Sequence, residues 1–502
     1  MSRRPNILIL MADQLTPGVL PAYGGKVART PHLDALADRG VVFQSAYCNS
    51  PLCAPSRYAL MSGQLSSATG GYDNAADFPS DVPTFAHYLR GAGYRTILTG
   101  KMHFCGADQL HGFEERLTTD IYPADFGWTP DWEHFDIRPD WYHNMDSVIQ
   151  AGPCIRTNQL DFDEEVIASA RRKLFDLARG GDGRPFCMVV SLTHPHDPFA
   201  MTEPYWNRYR DEEIEPPRVA AADVDLDPHS RRLRHVSAMD AQPVTEAQIR
   251  AARRAYYGSV SFVDDQIGAV LATLDQAGMA DDTIVMVLAD HGEMLGERGL
   301  WYKMSFFEGA CRVPLIVHAP GTFTAKRITQ SVSLVDILPT LAELAGDGQA
   351  PDYAAPIAGR SLLPHLNGLG GHDEVLGEYL AEGAVAPIVM IRRGAAKFIH
   401  SPVDPDQLYD LAGDPDELIN RAATDPTTAA FRAEVAQRWD LPALREAVIA
   451  SQRRRRLVRD TLRLGTQRNW DHQPFQDAGQ QYMRNHMKLD DLEAMARFPR
   501  VS

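Results

Sequence analysis

Four strand-like stretches of the sequence are each followed by charged or imidazole side chains. The first runs from Asn6 to Ala12 and is followed by Asp13. A stretch that is apolar at every position is typical of a parallel strand buried on both faces. The other stretches are 94–98, followed by Lys101 and His103, 184–192, followed by His194 and His196, and 282–289, followed by Asp290 and His291.

Helical segments separate these predicted strands. Residues 30–36 and 84–90 show helical patterns with capping residues, and Thr245 to Gln276 fits one long helix. This alternation predicts an α/β fold with a large, mostly parallel central sheet flanked by helices. Ligands bind at the carboxyl edge of such sheets, so we expect the polar residues that end the strands to meet there.

The sequence changes in character near residue 374. Short strand-like pieces at 374–380, 388–392 and 397–400 predict a smaller antiparallel sheet. The last residues are too apolar and aromatic for a free tail, so we expect them to dock. The predicted organisation is a catalytic domain at 1–374, a smaller α+β subdomain at 375–465 and a C-terminal tail at 466–502.

The chain is acidic overall. Its 502 residues include 50 Lys and Arg against 66 Asp and Glu, a formal net charge of −16. This charge argues against general binding to nucleic acid or to a membrane surface. No stretch is long enough to span a bilayer and the apolar run Ile7–Met11 is too short for a signal peptide, so we expect a cytoplasmic protein. We interpret the basic run Arg453–Arg456 as a solvated or subunit-contact face of a helix.

Cys53 lies just ahead of a predicted helix. Pro55 suits the first turn of that helix and Gly63 can end it. The unpaired N–H groups and the dipole of a helix N-terminus favour an anion, and Arg57 adds a cation one turn further on. By its chemistry alone, Cys53 is either a small buried hydrophobe or a reactive group in an anion site. The six cysteines are too sparse for a disulfide scaffold, and their spacing fits no Cys-x-x-Cys zinc site.

The pattern Cys53-x-Pro55-Ser56-Arg57 resembles the signature of the type I sulfatases, within the alkaline-phosphatase superfamily. In that family a formylglycine-generating enzyme oxidises the cysteine to formylglycine. That enzyme recognises the Pro and the Arg of the signature. The resemblance implies an alkaline-phosphatase-like fold and the hydrolysis of a sulfate ester. It also implies that the aldehyde is hydrated to a gem-diol, of which one hydroxyl attacks sulfur and the other expels sulfate.

Longer blocks of the sequence resemble the choline sulfatases within that superfamily. These blocks are 72–76, 100–103, 111–120 running on to Trp128, and 484–487. The resemblance implies choline-O-sulfate as the substrate. Gln14, where many sulfatases have a second Asp, and His291, where many have Asn, depart from the wider family but look like the choline sulfatase pattern.

The resemblance also implies which residues form the site. One divalent cation is expected, with Ca²⁺ favoured and Mg²⁺ or Mn²⁺ left open because an imidazole joins the oxygen ligands. The implied metal ligands are Asp13, Cys53, Asp290 and His291. The implied catalytic residues, which orient the nucleophile or hold and protonate the sulfate ester, are Cys53, Arg57, Lys101, His103, His196 and Lys303.

A further group is implied to bind choline, whose quaternary ammonium is recognised by aromatic faces and carboxylates. Its members are Asn74, Trp128, His143, Asn144, Glu382 and Asp490. Trp128 lies in a long irregular insertion at 105–160, and its alternative role is core packing. The alternative role of Asp490 is that of a helix N-cap. The resemblance also implies that the tail containing Asp490 reaches the active site of a neighbouring subunit. We therefore expect a homo-oligomer, either a dimer or a tetramer.

Three other functions fit parts of this pattern. An arylsulfatase with a wide pocket and a phosphodiesterase or phosphonate monoester hydrolase share the cysteine-derived nucleophile. A non-enzymatic binder of choline sulfate would leave Cys53 unoxidised. The carboxylates of Glu382 and Asp490 favour a cationic alcohol, and the full set of polar groups at the strand ends favours an enzyme.

Overall fold

The computed structural model describes residues 4–180, 182–466, 488, 490 and 491. Its strands, in chain order, are β1 (Asn6–Ala12), β2 (Val41–Tyr47), β3 (Arg95–Gly100), β4 (Glu115–Arg116), β5 (Gly152–Cys154), β6 (Phe186–Ser191), β7 (Ala200–Thr202), β8 (Thr283–Ala289), β9 (Arg312–Val313), β10 (Leu315–His318), β11 (Lys326–Ser333), β12 (Glu374–Tyr379), β13 (Ile388–Arg393), β14 (Ala396–Ser401) and β15 (Asp404–Asp410).

The α-helices connect these strands. They are α1 (Pro31–Arg39), α2 (Cys53–Ser62), α3 (Ser66–Thr69), α4 (Phe85–Gly91), α5 (Asp146–Ile149), α6 (Asn158–Arg179), α7 (Glu203–Trp206), α8 (Pro228–Val236), α9 (Glu246–Gln276), α10 (Glu308–Cys311), α11 (Ile337–Ala345), α12 (Leu363–Leu366), α13 (Thr427–Arg438) and α14 (Leu441–Leu462). Short 3-10 turns at 17–19, 21–23, 126–128, 132–134, 211–213, 221–223, 280–282, 297–299 and 334–336 complete the helical structure of the described residues.

The described residues form a central sheet of nine strands. Its order is β11-β2-β10-β8-β1-β6-β3-β4, with β9 paired to β2. The pairs around β1 are parallel, whereas β10 runs antiparallel to both of its neighbours. All seven residues of β1 are buried, as expected for a strand covered on both faces. Helices α1, α4 and α6 pack against strands of this sheet, which confirms the predicted α/β class.

A second, antiparallel sheet is formed by β12-β13-β14-β15 in sequence order. It contacts the central sheet where β12 lies against β11. The buried Lys397 on β14 also joins the two parts, because its Nζ lies 2.9 Å from an oxygen of Glu308. The smaller sheet was predicted, and the division of the chain at residue 374 stays a prediction.

Helix α2 begins earlier in the sequence than expected. Cys53 is its first residue, with Leu52 as the N-cap, whereas the sequence placed Cys53 ahead of the helix. Pro55 therefore occupies the third helical position, where its missing N–H still costs no intrahelical bond. Gly63 ends the helix in the left-handed conformation, at φ 66°, as expected for a C-terminal glycine.

The insertion at 105–160 is mostly irregular, as predicted, with only short elements such as β4, α5 and two 3-10 turns. Most of the tail, including the 484–487 block, lies outside the described residues, so its docking stays a prediction. Within the described part of the chain, no helix combines the length and the apolar character needed to cross a membrane.

Candidate active site

The polar residues that follow four neighbouring strands meet at one edge of the central sheet. Strands β8, β1, β6 and β3 are adjacent and parallel, so their carboxyl ends lie side by side. Asp290 follows β8, Asp13 follows β1, and Lys101 follows β3. This arrangement brings together the residues that the sequence placed at strand ends, and α2 adds Cys53 and Arg57 to them.

Arg57 is fully buried and joins the strand ends to each other. Its guanidinium donates to Asp290 at 2.9 Å and to Asp13 at 3.1 Å. It also donates to the carbonyl oxygen of Lys101 and to the hydroxyl of Ser191 at 2.9 Å. A buried guanidinium with this set of acceptors fixes the orientation of both carboxylates.

Asp13, Cys53, Asp290 and His291 offer four ligand atoms within 4.8 Å of one another, and all four residues are buried. The Nδ1 atom of His291 lies 3.0 Å from the carbonyl oxygen of Gly292 and donates its proton there. Nε2 therefore faces Cys53, with 3.2 Å between Nε2 and Sγ. Such an outer hydrogen bond is what orients a metal-binding imidazole.

These residues fit the divalent cation that the resemblance implies. Asp290 accepts backbone N–H bonds from Gln14 at 3.0 Å and from His291 at 2.9 Å, so its carboxylate is held rigidly. Two buried carboxylates and one imidazole form a donor set suited to a hard divalent cation.

The environment of Cys53 is electropositive. Burial alone raises the pKa of the Cys53 thiol, but the charges of Lys101, Lys303 and His291 outweigh burial and hold that pKa well below its usual range. The same charges favour any anion at this position.

Lys303 and His196 form a hydrogen-bonded pair above Cys53. The Nζ atom of Lys303 donates to Nε2 of His196 at 2.8 Å and to the side-chain oxygen of Gln14 at 2.6 Å. The other nitrogen of His196, Nδ1, donates to the carbonyl oxygen of Asp197 at 2.7 Å. The pair therefore places an ammonium group and an imidazole in the same cavity lining as Cys53.

Lys101 and His103 are held by a residue that the sequence did not single out. The carboxylate of Asp120 accepts from the backbone N–H groups of Met102 and His103, both at 2.9 Å, and pairs with Arg116 at 3.0 Å. This loop places the ammonium of Lys101 against Asp13 and 4.1 Å from the centre of the Tyr122 ring. His103 has a left-handed backbone, at φ 56°.

A cavity of about 370 Å³ opens beside Cys53. Its walls come from α2, the loop after α3, the insertion with the start of α6, and the loops after β6, β8 and β12. Its lining residues are Cys53, Asn74, Ile121, Tyr122, Trp128, Trp141, Tyr142, His143, Asn144, Ser147, Thr157, Asn158, Gln159, His196, Asp197, Pro198, Lys303 and Glu382. One continuous space thus joins Lys303 and its partner His196 to an aromatic wall.

Trp128 and Trp141 stack in this wall, with 6.5 Å between ring centroids and 13° between ring planes. Trp128 also meets Tyr122 edge to face at 5.5 Å. Trp128 is half-buried, so part of its ring surface remains available to a ligand in the cavity.

Glu382 is buried at the same wall, and one oxygen of its carboxyl has no hydrogen-bond partner among the described residues. Burial, reinforced by the charge of Asp73, raises the pKa of Glu382 to about 8. A buried carboxyl without a cationic partner, facing a cavity, is suited to a ligand that carries the positive charge.

The other predicted choline-binding residues hold the shape of the cavity. The side-chain oxygen of Asn74 accepts from the N–H of Ala54 at 2.9 Å, next to Cys53. The side-chain oxygen of Asn144 accepts from the N–H of Asp146 at 2.8 Å, at the start of α5. Burial lowers the pKa of His143 to about 3, so this ring is neutral.

Asp490 is exposed and lies outside the residues that line the cavity of this chain. All other predicted residues border the cavity or the group around Cys53. Sequence reasoning missed several lining or supporting residues, which are Asp120, Tyr122, Trp141, Tyr142, Gln159 and Asp197. The position of Asp197 could have predicted its place in the site, because it directly follows His196 near the end of a strand.

Comparison with known proteins shows the family of the chain. The profile of the family described as Sulfatase matches residues 5–347. Profiles described as N-sulphoglucosamine sulphohydrolase, C-terminal, and Choline sulfatase enzyme C terminal match residues 296–443 and 446–498. The first match covers more than half of the chain, so the chain belongs to the sulfatase family.

Particular relatives narrow the comparison. A Choline-sulfatase of Rhizobium meliloti (strain 1021) is 48% identical over 508 residues, which cover 99% of each chain. Arylsulfatase K of Danio rerio is 29% identical and covers 84% of this chain and 81% of its own. The crystal structure of phosphonate monoester hydrolase of Agrobacterium radiobacter is 25% identical, with a TM-score of 0.66, and covers 89% of this chain and 96% of its own.

Proposed function

We propose that the chain hydrolyses choline-O-sulfate to choline and inorganic sulfate, with Cys53 as the precursor of the formylglycine nucleophile. The 48% identity to a Choline-sulfatase supports the substrate. The observation that carries the proposal is one cavity with two ends. Lys303 and Cys53 line the end suited to a sulfate, and aromatic rings and a buried carboxyl line the end suited to a quaternary ammonium.

We propose that Asp13, Asp290, His291 and residue 53 hold one divalent cation, with Ca²⁺ favoured over Mg²⁺ or Mn²⁺. When bound, this cation supplies charge stabilisation to the sulfate and lowers the pKa of the nucleophile. Formylglycine, made from Cys53 by a formylglycine-generating enzyme, supplies a hydroxyl nucleophile and a way to release sulfate. Arg57 keeps the two carboxylates in place, since it donates to both.

The chain's own residues hold and protonate the ester. Lys101 and Lys303 place two ammonium groups beside residue 53, where they bind sulfate oxygens, and His103 orients the nucleophile. The leaving alkoxide of choline is strongly basic, so it needs a proton as the S–O bond breaks. Lys303 holds such a proton and shares a hydrogen bond with His196, so this pair is the proposed acid.

The alcohol end of the substrate lies against the aromatic wall. Trp128 offers its ring face to the ammonium, and Glu382 offers a carboxylate. Asn74, His143 and Asn144 fix the backbone and the polar surface around them. We propose a homo-oligomer, a dimer or a tetramer, in which Asp490 acts in a neighbouring copy, because it is exposed on its own chain.

A comparison of two substrates tests the proposal. The purified protein is assayed with choline-O-sulfate and with the neutral isostere in which carbon replaces the ammonium nitrogen. We expect kcat/KM to be at least about tenfold higher for the cationic ester, because the cation gains contact with an aromatic face and a carboxylate. Faster turnover of the isostere, of an aryl sulfate or of a phosphate diester would contradict choline-O-sulfate as the substrate.

A further inference from the structure

The basic run on α14 was predicted to be a solvated or subunit-contact face. Arg453 and Arg454 are exposed, but Arg455 is buried and Arg456 is half-buried. Three of its four arginines form ion pairs within the chain, one with the residue before Asn74 and two with carboxylates of the segment that follows Trp128. The pairs are Arg453 with Glu133, Arg455 with Asp73, and Arg456 with Asp131. We propose that α14 is a clamp that positions the wall facing the leaving alcohol and so sets selectivity for that alcohol.

Arg455 ties two parts of the wall together. Its guanidinium donates to both oxygens of Asp73 at 2.7 Å, and both residues are buried. It also donates to the hydroxyl of Thr129 at 3.3 Å. Asp73 precedes Asn74, which borders the cavity, and Thr129 follows Trp128 directly. A bidentate pair of this kind fixes direction as well as distance, so Arg455 sets the separation of the two wall segments.

The rest of the run holds the segment that follows Trp128. The side-chain oxygen of Gln452 accepts from the N–H of Trp132 at 2.9 Å. Arg453 donates to Glu133 at 2.7 Å and Arg456 pairs with Asp131. The indole N–H of Trp132 in turn donates to the carbonyl oxygen of Ala381 at 3.0 Å, next to Glu382. One helix thus supports both the aromatic and the acidic part of the proposed choline site.

Helix geometry explains why one arginine of the run is different. An α-helix turns by about 100° per residue, so positions 452, 455 and 456 share one side and position 454 lies opposite. Arg454 is exposed and forms no ion pair with any residue that the structure describes. It has the same charge on the same helix turn without the contacts, so it is a matched control.

The segment 125–134 depends on these contacts because it has little structure of its own. It contains two 3-10 turns, at 126–128 and 132–134, separated by irregular backbone. The sulfate end of the site, in contrast, stands on the strand ends of the central sheet. Loss of the clamp should therefore affect recognition of the alcohol and leave the sulfate chemistry largely intact, an inference that rests on the proposed function.

The test compares Arg453→Met/Arg456→Met with the control Arg454→Met, using choline-O-sulfate and a small aryl sulfate. We expect the double variant to raise KM for choline-O-sulfate at least about tenfold with kcat within about threefold, and to change kcat/KM for the aryl sulfate by less than about threefold. Arg454→Met should match wild type on both substrates. Equal losses on both substrates, or an unchanged KM, would overturn the inference.

A charge-reversal series separates positioning from simple loss of folding. Arg456→Asp and Asp131→Arg should each raise KM for choline-O-sulfate, and the two together should recover most of the wild-type value. A failure of the pair to recover in a protein with the wild-type melting temperature would contradict the clamp. If wild type itself shows no preference for choline-O-sulfate, the proposed function fails, and this is seen before any variant is compared.

Discussion

Glu382 is the residue whose charge state most affects the proposed recognition of choline. Burial first, and then the charge of Asp73, raise its pKa to about 8 from the usual 4.5. The folded protein thus holds a proton that the unfolded chain gives up. The free energy of unfolding therefore falls as pH rises from about 4.5 to about 8. Above that window the carboxylate is ionised and can pair with an ammonium.

We predict that KM for choline-O-sulfate falls as pH rises through about 8 in wild type, and that this fall is absent in Glu382→Gln. At pH about 9 the variant should have a KM about tenfold higher, because an amide cannot supply the charge. Steady-state kinetics across this pH range measure both effects.

Glu378→Gln is the matched control. Glu378 is a buried glutamate of β12, and burial also raises its pKa. Its carboxylate accepts hydrogen bonds from Ser67 and Trp439, and it does not line the cavity. It should change stability and leave the pH dependence of KM as in wild type. A parallel shift of KM in both variants would count against a direct contact between Glu382 and the substrate.

At the scale of elements, the sequence predicts well where burial is uniform. Strands β1, β3, β6 and β8 are buried at nearly every position, so both their existence and the edge at which their polar residues meet could be predicted. Strands β2 and β11 were missed, since half-buried Gln44 and Ser45 interrupt β2 and charged residues open β11. Strand β15 was missed for a similar reason, as its proline and aspartates resemble a turn.

The site follows the same rule. Residues at strand ends, such as Asp13 and Asp290, could be predicted from position alone. Tyr122, Trp141 and Tyr142 come from the irregular insertion, where no periodicity relates sequence to direction. The ion pairs of α14 could not be predicted either, because the sequence of an arginine run does not show whether its side chains contact water or carboxylates of the same chain.

At Gly100 the structure has no room for a side chain. It ends β3 at φ 98°, and a Cβ there would lie 1.9 Å from the carbonyl oxygen of Ser191 on β6. We predict that Gly100→Ala destabilises the protein by about 3–4 kcal/mol and lowers kcat, because Lys101 follows directly. Thermal unfolding and kinetics measure the two effects.

Gly93→Ala provides the control, since Gly93 has a similar φ of 88° but open space around it. It should cost only the backbone strain, about 1–2 kcal/mol, with kcat unchanged. An equal loss of stability and activity in the two variants would show that the contact with Ser191 is not the cause.

At the scale of the whole molecule, distant parts of the chain converge on one site. Strand ends, the insertion, the loop after β12 and α14 all contribute to it. A divalent cation bound by Asp13, Asp290 and residue 53 would connect the ends of β1 and β8 to α2. Metal binding should therefore stabilise the folded protein as well as support catalysis. A ligand present at about 100 times its Kd stabilises a protein by about 2.7 kcal/mol.

We predict that removal of divalent cations by a chelator lowers the melting temperature by several degrees and abolishes sulfate release. Added Ca²⁺ should restore both better than Mg²⁺ or Mn²⁺ at equal concentration. Melting curves and activity are measured on protein shown to be metal-free by elemental analysis. Full activity in that metal-free protein would rule out the proposed cation.

The most direct measurement is sulfate release from choline-O-sulfate by wild type, Cys53→Ala and Cys187→Ala, with the intact mass of each protein. Cys187 is a buried cysteine of β6 outside the site and serves as the control. We predict rapid release by wild type and Cys187→Ala, a loss of at least about 10³-fold in Cys53→Ala, and a mass that shows replacement of the thiol by an aldehyde in the active proteins. Activity that survives in Cys53→Ala, or no release by fully converted wild type, would contradict a Cys53-dependent choline-O-sulfate hydrolase.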